Sequence, residues 1–185
     1  MYLEYTGERV IPKLMEPTDS FLLEHIARYY FATPYLKGEV LDISCGSGYG
    51  SHLIAKTCKK QVQRVLGVDI DEETIRYATQ NYYHPLSRFM QADALDPALP
   101  DKLGSFDTIV SFETIEHLTD ERPFMTNLYN MLRPGGTLVL STPFGEGRGK
   151  PCSYFSHVQE FTVDEFKELF MAYGEVNDTD KPDES

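Results

Sequence analysis

The sequence predicts an α/β fold, a doubly wound and mostly parallel sheet, and three observations lead there. Short apolar runs alternate with stretches whose apolar residues recur at helical spacing. Strands alternating with helices imply right-handed βαβ crossovers and therefore parallel neighbours. A glycine trio, Gly46, Gly48 and Gly50, falls between the first strand and the helix after it. Such sheets bind ligands at this place, beyond the carboxyl ends of their strands.

Thr18-Asp19-Ser20 offers capping oxygens, and Phe21, Leu22, Ile26, Tyr29 and Tyr30 follow near helical spacing. This predicts a helix over about 19–32 that stops near Pro34. Glu39–Ile43 reads as a short apolar strand, and a helix runs from the glycine loop to about Cys58. Arg64–Ile70 is the second strand. Asp71-Glu-Glu-Thr74 places acids at a helix N-terminus, where the macrodipole favours them, and that helix runs to about Tyr82. Arg88–Ala92 is a third, less apolar strand, and Phe106–Phe112 a fourth, apolar enough to be buried on both faces. A helix over Asp120–Leu132, a turn at Pro134-Gly135 with Gly135 at positive φ, and a fifth strand at Thr137–Ser141 follow. Thr162 and Glu165 have capping-box spacing and open a last helix to Ala172. Tyr173–Val176 can begin a sixth strand, Asn177–Ser185 is acidic and reads as disordered, and no stretch reads as a seventh strand.

The chain of 185 residues suits a single core. Its N-terminus carries acids and lacks the pattern of a signal peptide, and no apolar run is long enough to span a bilayer. The three cysteines form no CxxC pair, so free thiols in a reducing, cytoplasmic setting are expected. A net charge of −12 weighs against a nucleic-acid partner, which calls for a basic face. No feature points to an oligomeric state.

Acids mark the ends of three successive strands. Asp42 precedes the glycine loop; a carboxylate there repels a pyrophosphate but suits a ligand carrying an ammonium and a sulfonium. Asp69 lies 21 residues after Gly48, where an acid accepts both hydroxyls of a ribose. Asp93 follows the third strand, where a carboxylate takes an adenine amino group, and Ile70 can pack on the adenine face. Any one of these acids alone reads more readily as a helix cap or a solvated charge. The rival ligand is a nicotinamide dinucleotide, but Ser51 sits where the last Gly or Ala of that fingerprint belongs. The three acids together favour S-adenosyl-L-methionine.

Five segments resemble the motifs of the class I methyltransferases. Val40-Leu-Asp-Ile-Ser-Cys-Gly-Ser-Gly48 looks like the first, Leu66-Gly-Val-Asp-Ile70 the second, Gln91-Ala-Asp-Ala94 the third and Phe106-Asp-Thr-Ile-Val-Ser111 the fourth. Leu132-Arg-Pro-Gly-Gly-Thr-Leu138 is similar to the segment before strand five, and the match covers most of 37–172. The resemblance implies a Rossmann-like class I methyltransferase fold with S-adenosylmethionine as cofactor. Its implied contacts are Asp42, Ser44, Cys45, Gly46, Ser47, Gly48, Asp69, Ile70, Asp93, Ala94 and Phe112. It implies an N-terminal arm and helix over 1–36, a cofactor-binding domain over 37–176 and a tail over 177–185. Two features depart from the family pattern: Ser44 stands where Gly is usual, and the last strand is missing.

Glu113-Thr-Ile-Glu-His117 follows the fourth strand, where the donor methyl group should point. Its spacing can bring Glu113, Glu116 and His117 round one turn, and His157 beyond strand five can join them. Such a donor set suits Mg²⁺, Mn²⁺ or Fe²⁺. A plainer reading has Glu113 touching only cofactor, Glu116 capping a helix, His117 satisfied and His157 exposed. This pattern, with His157–Leu169, resembles ubiquinone-biosynthesis O-methyltransferases, which act on catechol-like rings, and small-RNA 3′-end 2′-O-methyltransferases, whose metal site uses two Glu and two His. That resemblance implies Glu113, Glu116, His117 and His157 as ligands. Without metal, His117 or His157 serves as general base, with Glu113 as the third catalytic candidate.

Tyr5–Pro12, with Glu24-His25 and Arg28–Ala32, looks like bacterial methyltransferases found with glycan-building enzymes. The segment is expected to close over the cofactor, with Tyr5 or Arg9 near its carboxylate. The plainer reading packs Tyr29, Tyr30 and Phe31 on the core and leaves Arg9 solvated. The expected activity is methylation of a small-molecule hydroxyl, on a sugar or phenolic metabolite. The alternatives are RNA 2′-O-methylation and a cofactor-binding domain without turnover.

Overall fold

Five strands form one sheet in the computed structural model, which describes Leu3, residues 9–171 and Tyr173. The strands are β1 (Gly38–Ile43), β2 (Val62–Asp69), β3 (Ser87–Gln91), β4 (Phe106–Phe112) and β5 (Leu132–Ser141), in the order β3-β2-β1-β4-β5. Every neighbouring pair is parallel. Helices connect them: α1 (Ser20–Ala32) before the sheet, then α2 (Tyr49–Thr57), α3 (Glu72–Asn81), α4 (Leu99–Leu103) and α5 (Arg122–Met131), with α6 (Val163–Met171) after it. The expected doubly wound sheet is therefore present, and its order reverses between β1 and β4, the place where such sheets bind ligands.

The core follows from which strands are covered on both faces. Val40, Leu41 and Ile43 of β1 and Ile109 and Val110 of β4 are all at most 1% exposed. One core cluster joins Val40, Val65 and Val110 to Ile54 and Ala55 of α2 and to Tyr29 and Ala32 of α1. Asp19 caps α1 by accepting the amide of Leu22 at 3.1 Å, as its position ahead of the apolar period predicts. Only one stripe of that helix faces inward. Tyr29 is buried, whereas Tyr30 and Phe31 are 55% and 54% exposed, so the expected packing of all three aromatics holds for Tyr29 alone.

The expected turn at Pro134-Gly135 is a bulge within a strand. Helix α5 passes directly into β5, whose register jumps from Phe106↔Leu132 to Thr108↔Thr137. Residues 133–136 loop out there, and Arg133 bonds Asp107 at 2.6 Å and Glu39 at 2.7 Å. The short helix α4 carries no sequence signal, since five residues are too few to show a period.

The chain divides into two compact units. The first holds residues up to Thr114 with Asp120–Ser141, and therefore the whole sheet. The second joins Ile115–Thr119 to the residues from Thr142 on. In it, Glu116 O accepts the amides of Val158 (3.0 Å) and Gln159 (3.2 Å), and Gly145 N bonds Phe161 O (3.0 Å). The predicted capping box opens α6: Thr162 N donates to Glu165 Oε2 at 2.9 Å, and Glu165 N to Thr162 Oγ1 at 3.2 Å. Apart from Tyr173, the expected sixth strand and tail lie outside the described residues. Among the described residues no further strand appears, and no helix is long and apolar enough to cross a membrane.

These burial differences set a test. Ile109→Ala should cost about 2–5 kcal/mol in denaturant unfolding, through lost transfer energy and a cavity at the sheet centre. Tyr30→Ala should stay within about 0.5 kcal/mol. Equal losses would contradict the stripe assigned to α1.

Candidate active site

The loop from β1 to α2 is built on left-handed backbone. Ser44 has φ +60°, the conformation that the usual Gly supplies without strain, so the serine is accommodated at a cost of about 1 kcal/mol. Cys45 N bonds Val68 O (2.9 Å), and Gly48 N returns to Cys45 O (3.1 Å), which closes a turn ahead of α2. Burial, then the nearby charges of Asp42 and Asp69, push the Cys45 thiol well up, so it is no nucleophile. Gly46 has φ +54°, and a Cβ built on it would meet nothing within 4 Å. The backbone at Gly46 therefore faces open space beside a helix N-terminus, as a cradle for a ligand requires.

Asp69 ties the second strand to this loop. Its Oδ2 accepts Gly46 N at 2.9 Å and its Oδ1 accepts Asp71 N at 3.0 Å. Each oxygen keeps a lone pair for a ribose hydroxyl. Ile70, next along the chain, is an apolar side chain left 64% exposed. Asp93 is exposed and accepts Leu95 N at 2.8 Å, which shapes the turn after β3. Asn127 of α5 holds that turn from behind, donating to Ala94 O (2.8 Å) and Asp96 O (2.9 Å). Its only sequence signal is a polar residue on an apolar helical face.

Asp42 does not sit where the sequence suggested. The side chain is 1% exposed and turned inward, accepting from Ser51 Oγ at 2.5 Å and from the Tyr29 hydroxyl at 3.2 Å. Burial raises its carboxyl to about 7, against the lowering effect of those two hydrogen bonds, with the charge of Asp69 adding to the rise. Burial and the Asp42 charge keep Tyr29 well above its ordinary value, so its hydroxyl stays a donor. Gly50 makes this possible: a Cβ there would fall inside the Tyr29 ring. Asp42 thus braces the loop from beneath instead of meeting a ligand's ammonium directly.

The N-terminal segment is bound to the same loop. Ser47, read from sequence as a cofactor contact, is 1% exposed and donates its hydroxyl to Val10 O at 2.6 Å, which leaves only its backbone for a ligand. Arg9 is neither solvated nor left for a ligand carboxylate; it pairs with Asp71, the cap of α3, at 2.6 Å. Leu3 and Ile11 pack on Tyr77. Tyr5 lies outside the described residues.

Glu113 belongs to the first unit and also has left-handed backbone, at φ +51°. Its Oε2 accepts Arg28 Nη2 at 3.0 Å and its Oε1 accepts Ser141 Oγ at 2.8 Å. Phe112, just before it, packs edge-on against Tyr29, with ring centres 4.9 Å apart.

In the second unit, ligand atoms of Glu116, His117 and His157 lie within 4.8 Å of one another. Glu116 is 1% exposed and accepts Thr142 Oγ1 at 3.0 Å. His117 Nδ1 lies 3.2 Å from Ser156 O, and its Nε2 3.9 Å from Glu116 Oε1. His157 Nδ1 lies 2.8 Å from Glu160 Oε1. Oxygens facing both Nδ1 atoms favour the proton there and leave each Nε2 lone pair to bind a metal or accept a proton. Burial raises the Glu160 carboxyl, but hydrogen bonds from His157 and Ser153 outweigh it and hold the group below its ordinary value. Sequence reasoning misses Glu160 because nothing in its spacing distinguishes it from a surface acid.

A sequence model described as a methyltransferase domain matches residues 41–140. A protein of Mycolicibacterium smegmatis named a probable S-adenosylmethionine-dependent methyltransferase is 36% identical over 182 residues, 96% of this chain. The chain spans 67% of that relative and 62% of a similarly named one from Mycobacterium tuberculosis. A ubiquinone biosynthesis O-methyltransferase of Sinorhizobium medicae is 32% identical over 120 residues, 64% of this chain and 47% of the relative. Among solved structures, the [4+2]-cyclase SpnF superposes with a TM-score of 0.71 over 89% of this chain and 63% of its own, at 15% identity, a likeness of fold alone.

The buried Asp42 gives a pH prediction. Between the ordinary aspartate range and about 7, the folded chain keeps a proton that the unfolded chain has released. Stability therefore falls as pH rises through that window, by at most about 4 kcal/mol, and levels off above it. Asp42→Asn should flatten the dependence of melting temperature on pH between about 4 and 8. A variant whose melting profile still tracks the wild type would mean that Asp42 does not titrate there.

Proposed function

The chain belongs to the class I S-adenosylmethionine-dependent methyltransferases, and from that premise we propose that it methylates a hydroxyl of a small molecule, assisted by a divalent metal. The convergence of Glu116, His117 and His157 carries this reading. One carboxylate and two imidazoles form a donor set that suits Fe²⁺ or Mn²⁺ better than Mg²⁺, which prefers oxygen ligands. The likeness to a ubiquinone biosynthesis O-methyltransferase supports oxygen as the atom methylated.

The sulfonium already activates the methyl group, so the acceptor is what needs help. Glu116, His117 and His157 would hold the metal, whose charge would lower the pKa of an acceptor hydroxyl. With both Nε2 lone pairs on the metal, the hydroxyl proton would leave to solvent; without metal, the Nε2 of His117 or His157 would take it. The oxygen then forms its bond to the methyl carbon as the carbon–sulfur bond breaks and its electron pair stays on sulfur. On the donor side, Asp69 would hold the ribose, Asp93 and Ile70 the adenine, and the backbone around Gly46 the methionyl end. The net charge of −12 weighs against an RNA acceptor.

The test is methyl transfer from labelled donor to pools of phenols and sugars, with and without chelator. Chelation should cut the rate at least about tenfold, Mn²⁺ or Fe²⁺ should restore it, and Glu116→Gln should abolish the restoration while donor binding persists. Transfer that ignores chelator would remove the metal, and absence of transfer to any pool, with donor bound, would favour a domain without turnover.

A further inference from the structure

The second unit carries a buried carboxylate that the chemistry above leaves unused. Glu160 is 3% exposed. Its Oε1 lies 2.8 Å from His157 Nδ1 and accepts Ser153 N at 2.9 Å, and its Oε2 accepts Ser153 Oγ at 3.2 Å. The backbone is shaped around it, because a Cβ on Gly145 would collide with Glu160 Oε2. Both oxygens are thus fixed, as a carboxylate withdrawn from water requires. The imidazole at the end of this arrangement is His157.

Two kinds of contact hold the His157 ring, and they hold different things. Tyr154 stacks on it, with ring centres 5.4 Å apart and 29° between planes, and His117 meets it at 5.3 Å and 76°. These contacts set the plane of the ring. They do not set which edge points where, since a half-turn about the Cβ–Cγ bond keeps the plane while exchanging Nδ1 with Cδ2 and Nε2 with Cε1. The carboxylate makes the two orientations unequal. In one, an N–H meets Glu160; in the other, a C–H takes its place and a buried charge loses a donor. The carboxylate also fixes the tautomer: it only accepts, so Nδ1 carries the proton and Nε2 keeps the lone pair.

His117 is held differently. Its Nδ1 faces a neutral carbonyl, Ser156 O, at 3.2 Å, and its side chain is 36% exposed against 9% for His157. A hydrogen bond to a carboxylate is roughly twice as strong as one between neutral groups, and it makes the imidazole a better electron donor. The two histidines that converge with Glu116 are therefore not equivalent. One is locked and the other is free to adjust.

Resting on the metal-assisted reading above, we infer that Glu160 is a positioning residue: it locks His157 in the orientation that presents Nε2 to a divalent metal, so that His157 and Glu116 seat the ion and His117 closes on it as the adjustable ligand.

Titration of the full chain with Mn²⁺, read by the paramagnetic resonance of the free ion, tests this without any acceptor. Glu160→Ala should weaken Mn²⁺ binding roughly ten- to hundredfold. Glu160→Gln keeps a neutral acceptor for Nδ1 and should recover part of that loss. The ring-nitrogen chemical shifts of the metal-free wild-type chain, recorded where the imidazoles are neutral, give a readout that needs no variant: His157 should carry its proton on Nδ1. A carboxylate that only braced the loop would alter the melting temperature on replacement and leave Mn²⁺ affinity unchanged. Thermal melts identify any variant that fails to fold, and if both do, the wild-type shifts decide the question. Equal Mn²⁺ affinity in the wild type and a folded Glu160→Ala variant, or a wild-type His157 protonated on Nε2, would overturn the inference and leave the metal reading standing. A wild-type chain that binds no Mn²⁺ would defeat the metal reading and this role with it.

Discussion

The burial of one carboxylate, Asp42, organises the cofactor half of this molecule. It ends β1 at the sheet centre, and the structure answers its desolvation with two hydroxyls, Ser51 from α2 and Tyr29 from α1. Each donor fixes an element. Ser51 sets how α2 leaves the loop. Tyr29 sets how α1 lies on the sheet, and its approach requires that Gly50 carry no side chain. The loop above is then held in left-handed turns that leave the backbone at Gly46 open. Removing the carboxylate's charge would relieve the buried site, yet the same charge makes the three elements converge. Stability and ligand geometry are opposed at this residue, as is common where a site stores unfavourable burial.

Around that centre the remaining polar contacts work outward. Asp69 fastens the end of β2 to the loop, Asp71 caps α3 and holds Arg9, and Ser47 holds Val10. The N-terminal segment is thereby attached at three points, counting the packing of Leu3 and Ile11 on Tyr77. A ligand seated on the loop would have its surroundings arranged by backbone amides and short side chains, groups that lose little entropy on binding.

Much of this is legible in the sequence, and the reason is local. The bounds of β4, Phe106–Phe112, are readable because both faces of that strand are buried and a continuous apolar run marks it. The caps at Asp19 and in the Thr162/Glu165 box follow from residues three apart. The strand-end acids are found for the same reason, since a strand followed by a loop is a local pattern. Their partners are not. Asp42 looks like a ligand contact because nothing in its neighbourhood announces that Tyr29 will cover it. Arg9 reads as a ligand contact or a solvated charge because its partner Asp71 is 62 residues away. The bulge at residues 133–136 looks like a simple turn because its strand partner lies elsewhere in the chain.

The division between legible and hidden follows the chemistry of the two substrates. Every class I methyltransferase holds the same donor, and a donor whose methyl is already activated asks only for shape, two or three acceptor atoms and an open backbone. The residues suited to those demands lie at the ends of successive strands, β1, β2 and β3, where a strand followed by a loop is a local pattern. An acceptor differs from enzyme to enzyme and must be recognised by side chains that long-range folding brings together. Arg28 and Glu113 are 85 residues apart, and His117 and Ser156, which orients its ring, are 39 apart. No periodicity links such pairs, and each member alone resembles an ordinary surface charge. Such pairs therefore become readable only when the folded geometry brings their members together.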